Sequence, residues 1–351
     1  VLRAIVAAAI DRGARLAEPG EFTLRAFLNG RIDLAQAEAV ADLIDAATPL
    51  QARAAFDQLD GTLTRTIAAI DAALFDFIAK LEASVDFPDE GYHFVEPDAL
   101  AHAIDALIAK TAALLARARQ GRVIREGLQV AIVGEPNVGK SSVFNALVGS
   151  SRAIVADAPG TTRDLVTEVV DLAGLRVTLV DTAGLRETSD AVESEGVARS
   201  RQAIAVADLV LTVVDGSRAD NIIQTIENKQ LIVSNKSDLP VERTIPAAVL
   251  VSALTGDGLD ELRRRIVAAL EIDLLRDRPE ITNVRHIALV QRAQDALVRA
   301  RAAAHPDGGS LPEEFVLADL QDARAALEEI TGRRAPDDLL AHIFSRFCIG
   351  K

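Results

Sequence analysis

Residues Gly134-Glu135-Pro136-Asn137-Val138-Gly139-Lys140-Ser141 fill the pattern G-x-x-x-x-G-K-[ST] at every required position. The run 127–134, GLQVAIVG, reads as a short buried strand before it, and a helix opens at Lys140 after it. A strand, a glycine loop and a helix in that order form a cradle for phosphate. Gly134 and Gly139 let backbone N–H groups turn towards oxygen atoms, and the helix N-terminus adds a field that favours negative charge. Lys140 is expected to reach the β- and γ-phosphates and Ser141 to ligate Mg²⁺, with Asn137, Val138, Gly139 and Ser142 completing the loop. This segment commits the middle of the chain to an α/β unit with a mostly parallel sheet.

Three further segments follow in order. Asn235-Lys236-Ser237-Asp238 comes after an apolar strand. An Asn amide and an Asp carboxylate there match the guanine edge: the carboxylate accepts from N1–H and the 2-amino group, which adenine does not present, so GTP is selected over ATP. The stem of Lys236 is expected to cover the base. Ser252-Ala253 resembles the fifth guanine-binding motif and supports the base from its other side.

Asp181-Thr182-Ala183-Gly184 ends another strand. Asp181 is expected near Mg²⁺, often through water. Gly184 is expected to offer an N–H to the γ-phosphate and to swing when that phosphate leaves. Upstream, in PGTTRD (159–164), Thr161 or Thr162 should close over Mg²⁺, with Thr162 the favoured metal ligand. The position after Gly184, Leu185, has no group to orient water where Ras-like proteins carry Gln. Glu187, Asp190, Glu193 and Glu195 are the acidic candidates for that task, and Arg163 and Arg186 are cationic candidates on the same loops.

The flanks are helical. Leu34, Ala37, Val40, Ala41 and Ile44 recur at helical spacing, as do Leu59, Leu63, Ile67, Ile70, Leu74, Ile78 and Leu81. Pro97 opens a helix to about Arg119, the period changes at Gly121, and helices return at 284–304, 312–331 and 337–346. Residues 16–34 read as a loop on their Pro and Gly content. The expected fold class is α plus α/β: a discontinuous helical bundle into which a Ras-like P-loop α/β domain is inserted.

Composition narrows the function. A net charge of −14 in 351 residues argues against a whole-surface nucleic-acid binder, while leaving room for one RNA on a local basic patch. At 3% aromatic content, stacking platforms for single-stranded RNA are not expected. No apolar run approaches the length of a membrane span, and Val1–Ile10 lacks the basic start of a signal peptide. Cys348 is the sole cysteine, which excludes an intramolecular disulfide and fits a reducing cytoplasm. The five histidines show no metal-ligand spacing. The chain starts at Val1 and holds no Met, so a preceding N-terminal part is expected.

EPGEFTLRAFLNGRIDLAQAEAVADLI (18–44), GTTRD (160–164), DTAGLRE (181–187) and the terminal Cys348-Ile349-Gly350-Lys351 resemble the MnmE (TrmE) family of tRNA-modifying GTPases, and the resemblance extends over the whole chain. It implies a remnant of a tetrahydrofolate-binding, dimerising domain and connector at 1–30. A helical domain at 31–120 and 275–351 and an inserted G domain at 121–274 would follow. It also implies that G domains pair across their nucleotide faces with GTP and K⁺ bound. Asn137 would ligate K⁺, and Glu193 would be the catalytic glutamate that positions water indirectly. The homodimer would act with an FAD- and NADH-dependent partner, MnmG (GidA), as a heterotetramer. Together they would modify C5 of the tRNA wobble uridine with a folate-derived carbon. The resemblance supports a functional role for Cys348, as a nucleophile or in complex geometry, with a small buried hydrophobe the equal alternative; Arg25 and Asn29 are expected to face the folate domain or its ligand, with loop packing the equal alternative. An Era- or EngA-like ribosome-assembly GTPase is the alternative. It should carry a basic RNA-binding module beside its G domain, and no KH-like GXXG loop is present here.

Overall fold

The structure is a computed structural model; it describes residues 2–86, 97–150, 152–153, 166–182, 202–218, 229–240, 245–272, 279–304, 313–345 and 347. Two compact units are present. One comprises Val1–Ala46, Ala52–Arg125 and Pro279–Lys351, the other Ala47–Gln51 and Glu126–Arg278.

In chain order the first helices are α1 (Leu2–Asp11), α2 (Glu21–Leu28), α3 (Leu34–Ile44), α4 (Pro49–Leu59), α5 (Thr62–Asp86), α6 (Pro97–Ala116) and α7 (Ala118–Glu126). The α/β unit follows with β1 (Leu128–Val133), α8 (Lys140–Ser150), β2 (Arg152–Ala153), β3 (Val166–Leu172), β4 (Leu175–Asp181), β5 (Leu209–Asp215), β6 (Gln230–Asn235), β7 (Val249–Leu250) and α9 (Leu259–Ala269). The chain then returns to the helical unit with α10 (Val284–Ala303), α11 (Glu313–Thr331) and α12 (Asp337–Ser345).

The core of the helical unit is the stripe that the 3.6-residue period marks. Leu63, Ile67, Ile70, Leu74, Ile78 and Leu81 of α5 meet Ile104 and Leu107 of α6, Leu297 of α10, and Leu320 and Leu327 of α11. Ala293, Ala296, Ala300, Ala323 and Ala326 line the same core, so α10 and α11 approach closely along small residues. A second cluster joins Leu34 and Ala37 of α3 to Phe344 and Phe347, with Phe27 of α2 against Phe344 at a ring separation of 6.3 Å.

Polar contacts register α3 within this unit. Asp33 caps it by accepting from the N–H of Gln36, while Gln36 returns a bond to the N–H of Asp33. The second carboxylate oxygen of Asp33 accepts from Thr64 at 2.5 Å. One turn on, Glu38 is buried against Arg285, which donates to both of its carboxylate oxygens at 3.0 and 2.7 Å, and against His286 Nε2 at 2.6 Å. Burial opposes ionisation of Glu38, but hydrogen bonds from His286 and Arg285 outweigh it and hold the carboxyl at about 2. Burial keeps the imidazole of His286 below its ordinary range despite the pull of Glu38.

The sheet order is β2-β3-β4-β1-β5-β6-β7. β4, β1, β5, β6 and β7 run parallel, and β2 and β3 extend the β4 edge antiparallel. From β1 the chain proceeds to β4 on one side and then to β5 on the other. The order therefore reverses beside β1, and the carboxyl ends of these strands converge there.

Four features differ from the sequence expectation. Residues 21–28 form α2 inside the segment read as loop, starting directly after Gly20. The helix ahead of the sheet runs to Glu126, through Gly121 and past the expected end near Arg119. Gly121 is there for close packing: a Cβ on it would lie 1.8 Å from the carbonyl oxygen of Ile281. β7 is only two residues long, because after Val251 bonds to Ser234 the chain turns and Ser252 bonds to Asp257. Finally, Asp98–Glu126 is long and apolar enough, by length and composition alone, to span a membrane; Leu100, Ile104, Leu107, Leu114 and Ala118 of that stretch lie in the helical core.

Glu38→Gln should lower the stability of the helical unit by about 3 kcal/mol at neutral pH, by leaving the partly buried guanidinium of Arg285 without its charge partner. The folded-state pKa of Glu38 is depressed, so its contribution is fully present above the ordinary value of 4.5 and is lost as pH falls through about 2. Urea unfolding of both proteins across that range should show the gap between them closing.

Candidate nucleotide site

The phosphate loop occupies the gap between β1 and α8, at the strand-order reversal. Val138 is buried beneath it in the α/β core, so the loop is tethered at its middle. Asn137 stands at φ 65, a left-handed conformation rare outside glycine, and its side chain lies at the exposed rim. Lys140 folds its ammonium over the loop and donates to the carbonyl of Glu135 at 2.7 Å. Ser141 and Ser142 follow in the first turn of α8, both exposed.

The floor is built by the neighbouring strand. Asp181, buried at the end of β4, accepts a hydrogen bond from the hydroxyl of Ser141 at 2.7 Å. Thr182 follows and bonds to the carbonyl of Ile132 on β1 through its hydroxyl at 2.7 Å. A hydroxyl and a carboxylate brought together at the mouth of the loop form a hard oxygen donor pair, the chemistry that suits Mg²⁺.

On the other side of β1, Asn235 ends β6 with 3% exposure. Its amide nitrogen donates to the carbonyl of Val138 at 3.0 Å, and its amide oxygen accepts from the N–H of Ala253 at 3.1 Å. One side chain thus ties the phosphate loop to the 252–258 turn. Gly139 is required by this contact: it sits at φ 92, and a Cβ on it would lie 2.2 Å from the amide nitrogen of Asn235. Ser252, fully buried, donates to Asp238 at 2.6 Å and accepts from the N–H of Thr255 at 3.1 Å. Asp238 is exposed, so its carboxylate is oriented from behind and open in front. Lys236, at φ 66, donates to the carbonyl of Asn137 at 3.2 Å and pairs with Asp215 at 2.5 Å.

The structure therefore brings together Asn137, Val138, Gly139, Lys140, Ser141, Ser142, Asp181, Asn235, Lys236, Asp238, Ser252 and Ala253 along the ends of parallel strands. Thr161, Thr162, Gly184, Glu193 and Cys348 lie outside the described residues, as do Arg163, Leu185 and Arg186. Asp215 is the residue that sequence reasoning missed. Its signal was a carboxylate closing the apolar run LVLTVVD, the same position that Asp181 takes in LRVTLVD. Burial raises the cost of ionising Asp215, but hydrogen bonds from Lys236 and Ser217 prevail and hold its carboxyl below the ordinary range. Among the described residues, no group of three or more His, Cys, Asp or Glu side chains is placed to hold a metal ion.

Gly139→Ala should weaken nucleotide binding by at least about a hundredfold, since the added methyl must displace either the loop or Asn235. Titration with a fluorescent GDP analogue measures this, and thermal unfolding of the variant checks that the sheet persists.

The family model described as MnmE helical domain matches residues 34–348, and the one described as GTP-binding protein TrmE N-terminus matches residues 1–31. The chain is similar to three proteins named tRNA modification GTPase MnmE. It is 48% identical to that of Moorella thermoacetica, over 97% of this chain and 77% of the relative. It is 45% identical to that of Koribacter versatilis, over 100% and 79%. It is 42% identical to that of Aquifex aeolicus, over 97% and 78%. With the matches running through both helical segments as well as the phosphate loop between them, the chain belongs to the MnmE (TrmE) family of GTPases.

Proposed function

We propose that this GTP-hydrolysing chain is the nucleotide-switched component of a tRNA-modifying complex. On this reading it uses K⁺ at the phosphate loop and works with an FAD-dependent partner of the MnmG (GidA) kind. The observation that carries the proposal is the placement of the Ser141–Asp181 pair and the Asn235–Asp238 clamp on either side of one strand-order reversal. On this reading the first is the phosphate end of the site and the second its base end.

At the base end, Asp238 accepts from guanine N1–H and the 2-amino group, with Ser252 fixing its carboxylate and Lys236 and Ala253 flanking the ring. At the phosphate end, backbone N–H groups of Val138, Gly139, Lys140, Ser141 and Ser142 face the phosphates, and the ammonium of Lys140 leaves Glu135 for them. Ser141 and Asp181, with Thr162 of the preceding loop, would hold Mg²⁺, and the amide of Asn137 would hold K⁺. The bound cations would neutralise charge that grows on the phosphate oxygens during transfer to water. Glu193 positions that water in place of the missing Gln, and Gly184 reports the γ-phosphate to the loop that carries Glu193.

The wider assignments follow family membership. Residues 1–30 close a tetrahydrofolate-binding, dimerising domain. Residues 31–120 and 275–351 form the helical domain around a G domain at 121–274. G domains of the homodimer pair in the GTP state, and Cys348 serves the tRNA-modifying step at wobble-uridine C5. FAD and NADH belong to the partner, in a heterotetramer acting in the cytoplasm. The family match on both sides of the α/β unit favours this reading over an Era-like ribosome-assembly GTPase.

GTP hydrolysis should be faster in potassium than in sodium at equal ionic strength, and Asn137→Ala should remove the difference; equal rates for the parent protein would sink the ion assignment. Glu193→Gln should reduce kcat by about a hundredfold with GTP affinity unchanged. In a full assay with partner, tRNA, folate donor, GTP and potassium, mass spectrometry of the wobble uridine should show modification only when GTP is hydrolysed.

A further inference from the structure

We propose that Asp215 is a positioning residue of the nucleotide site, holding Lys236 against the phosphate loop so that the base clamp and the loop form one preorganised surface. Asp215 ends β5 and is 5% exposed. One carboxylate oxygen lies 2.5 Å from the ammonium of Lys236. The other accepts from the N–H of Ser217 at 3.1 Å and from its hydroxyl at 2.6 Å. The same ammonium donates to the carbonyl of Asn137 at 3.2 Å. The path runs from β5 through Asp215 and Lys236 into the phosphate loop.

The strand pairing places the carboxylate. In the parallel register β5 to β6, Asp215 is opposite Asn235, and the N–H of Gly216 bonds to the carbonyl of Asn235 at 2.8 Å. Lys236 is therefore one residue beyond the pairing, where the chain turns to φ 66. Asn137 opposite it stands at φ 65. These two non-glycine residues in the left-handed region share a single ammonium group, and the ion pair with Asp215 holds that group between them. Without the carboxylate, the flexible four-carbon stem of Lys236 and its strongly hydrated head would favour solvent, and the carbonyl of Asn137 would lose its donor.

The Asp215 contacts lie on the β6 side of β1, away from the Ser141–Asp181 pair on the β4 side. Losing Asp215 should thus weaken GDP and GTP binding alike and, measured in sodium so that the K⁺ role of Asn137 does not enter, spare turnover once the site is filled. For Asp215→Asn, the dissociation constant of a fluorescent GDP analogue and the KM for GTP should each rise about tenfold, with kcat within about threefold of the parent protein. Lys236→Met should show a loss of its own, and adding Asp215→Asn to it should worsen binding no further, because both changes remove the same contact. Parent-like GDP binding by Asp215→Asn, losses that add in the double variant, or a fall in kcat at unchanged KM would each overturn the proposal. Should Asp215→Asn fail to fold, Ser217→Ala, which removes one bond to the carboxylate, should weaken GDP binding about two- to threefold. Unchanged binding in that variant would overturn it as well.

Discussion

The reach of Asn235 past β5 to the phosphate loop that follows β1 is the contact on which the nucleotide site depends. A buried amide must satisfy both its donor and its acceptor, and here the donor goes to the phosphate loop and the acceptor to the 252–258 turn. Neither segment belongs to the sheet ladder, so without Asn235 they would be separate loops on a common edge. The contact also explains the glycine beside it, since Gly139 must leave room for that amide. The same geometry brings Lys236 to the carbonyl of Asn137, so that consecutive residues of one strand end grip two consecutive residues of the loop.

The helical unit is held by a comparable arrangement of charge. Its two sequence segments lie on either side of the α/β unit in the chain, and they are registered by Glu38 of α3 against Arg285 and His286 of α10. Arg285 also donates to the carbonyls of Glu329 and Ile330 at the end of α11. A hydrophobic stripe tolerates rotation and sliding, whereas a buried carboxylate with a two-pronged guanidinium partner favours one geometry. Phe344 and Phe347 complete the unit against α3, so the residue next to Cys348 is part of a packed core.

Much of this was legible beforehand. The stripe of α5 reads directly from Leu63 to Leu81, and the strands from their apolar runs, because burial on a regular element imposes a period on the sequence. Features that depend on a distant residue were not legible. Gly121 looks like a helix end, yet it lies within α7, because only the position of Ile281 reveals why a side chain is excluded there. Pro19 and Gly20 look like loop punctuation, yet α2 starts immediately after them, held by the bond from the N–H of Glu18 to the carboxylate of Glu21 and by the ion pair of Glu21 with Arg15. Asp215 passed as the end of an apolar run, because its partner lies just past the end of the next strand, 21 positions away.

The sequence by itself determined the residue types on which the reading rests: a complete phosphate-loop pattern at 134–141, an Asn and an Asp suited to a guanine edge at 235 and 238, and a Leu at 185 where Ras-like proteins carry Gln. Those properties are carried by residue type at short spacing, which needs no knowledge of neighbours. Tertiary structure alone decided which of these residues hold one another. Ser141 meets Asp181 forty positions later, and Asn235 meets Val138 across 97, because a parallel sheet brings strand ends together irrespective of their distance along the chain. The positioning of Lys236 by Asp215 arises in the same way, from strand register, which no local pattern encodes.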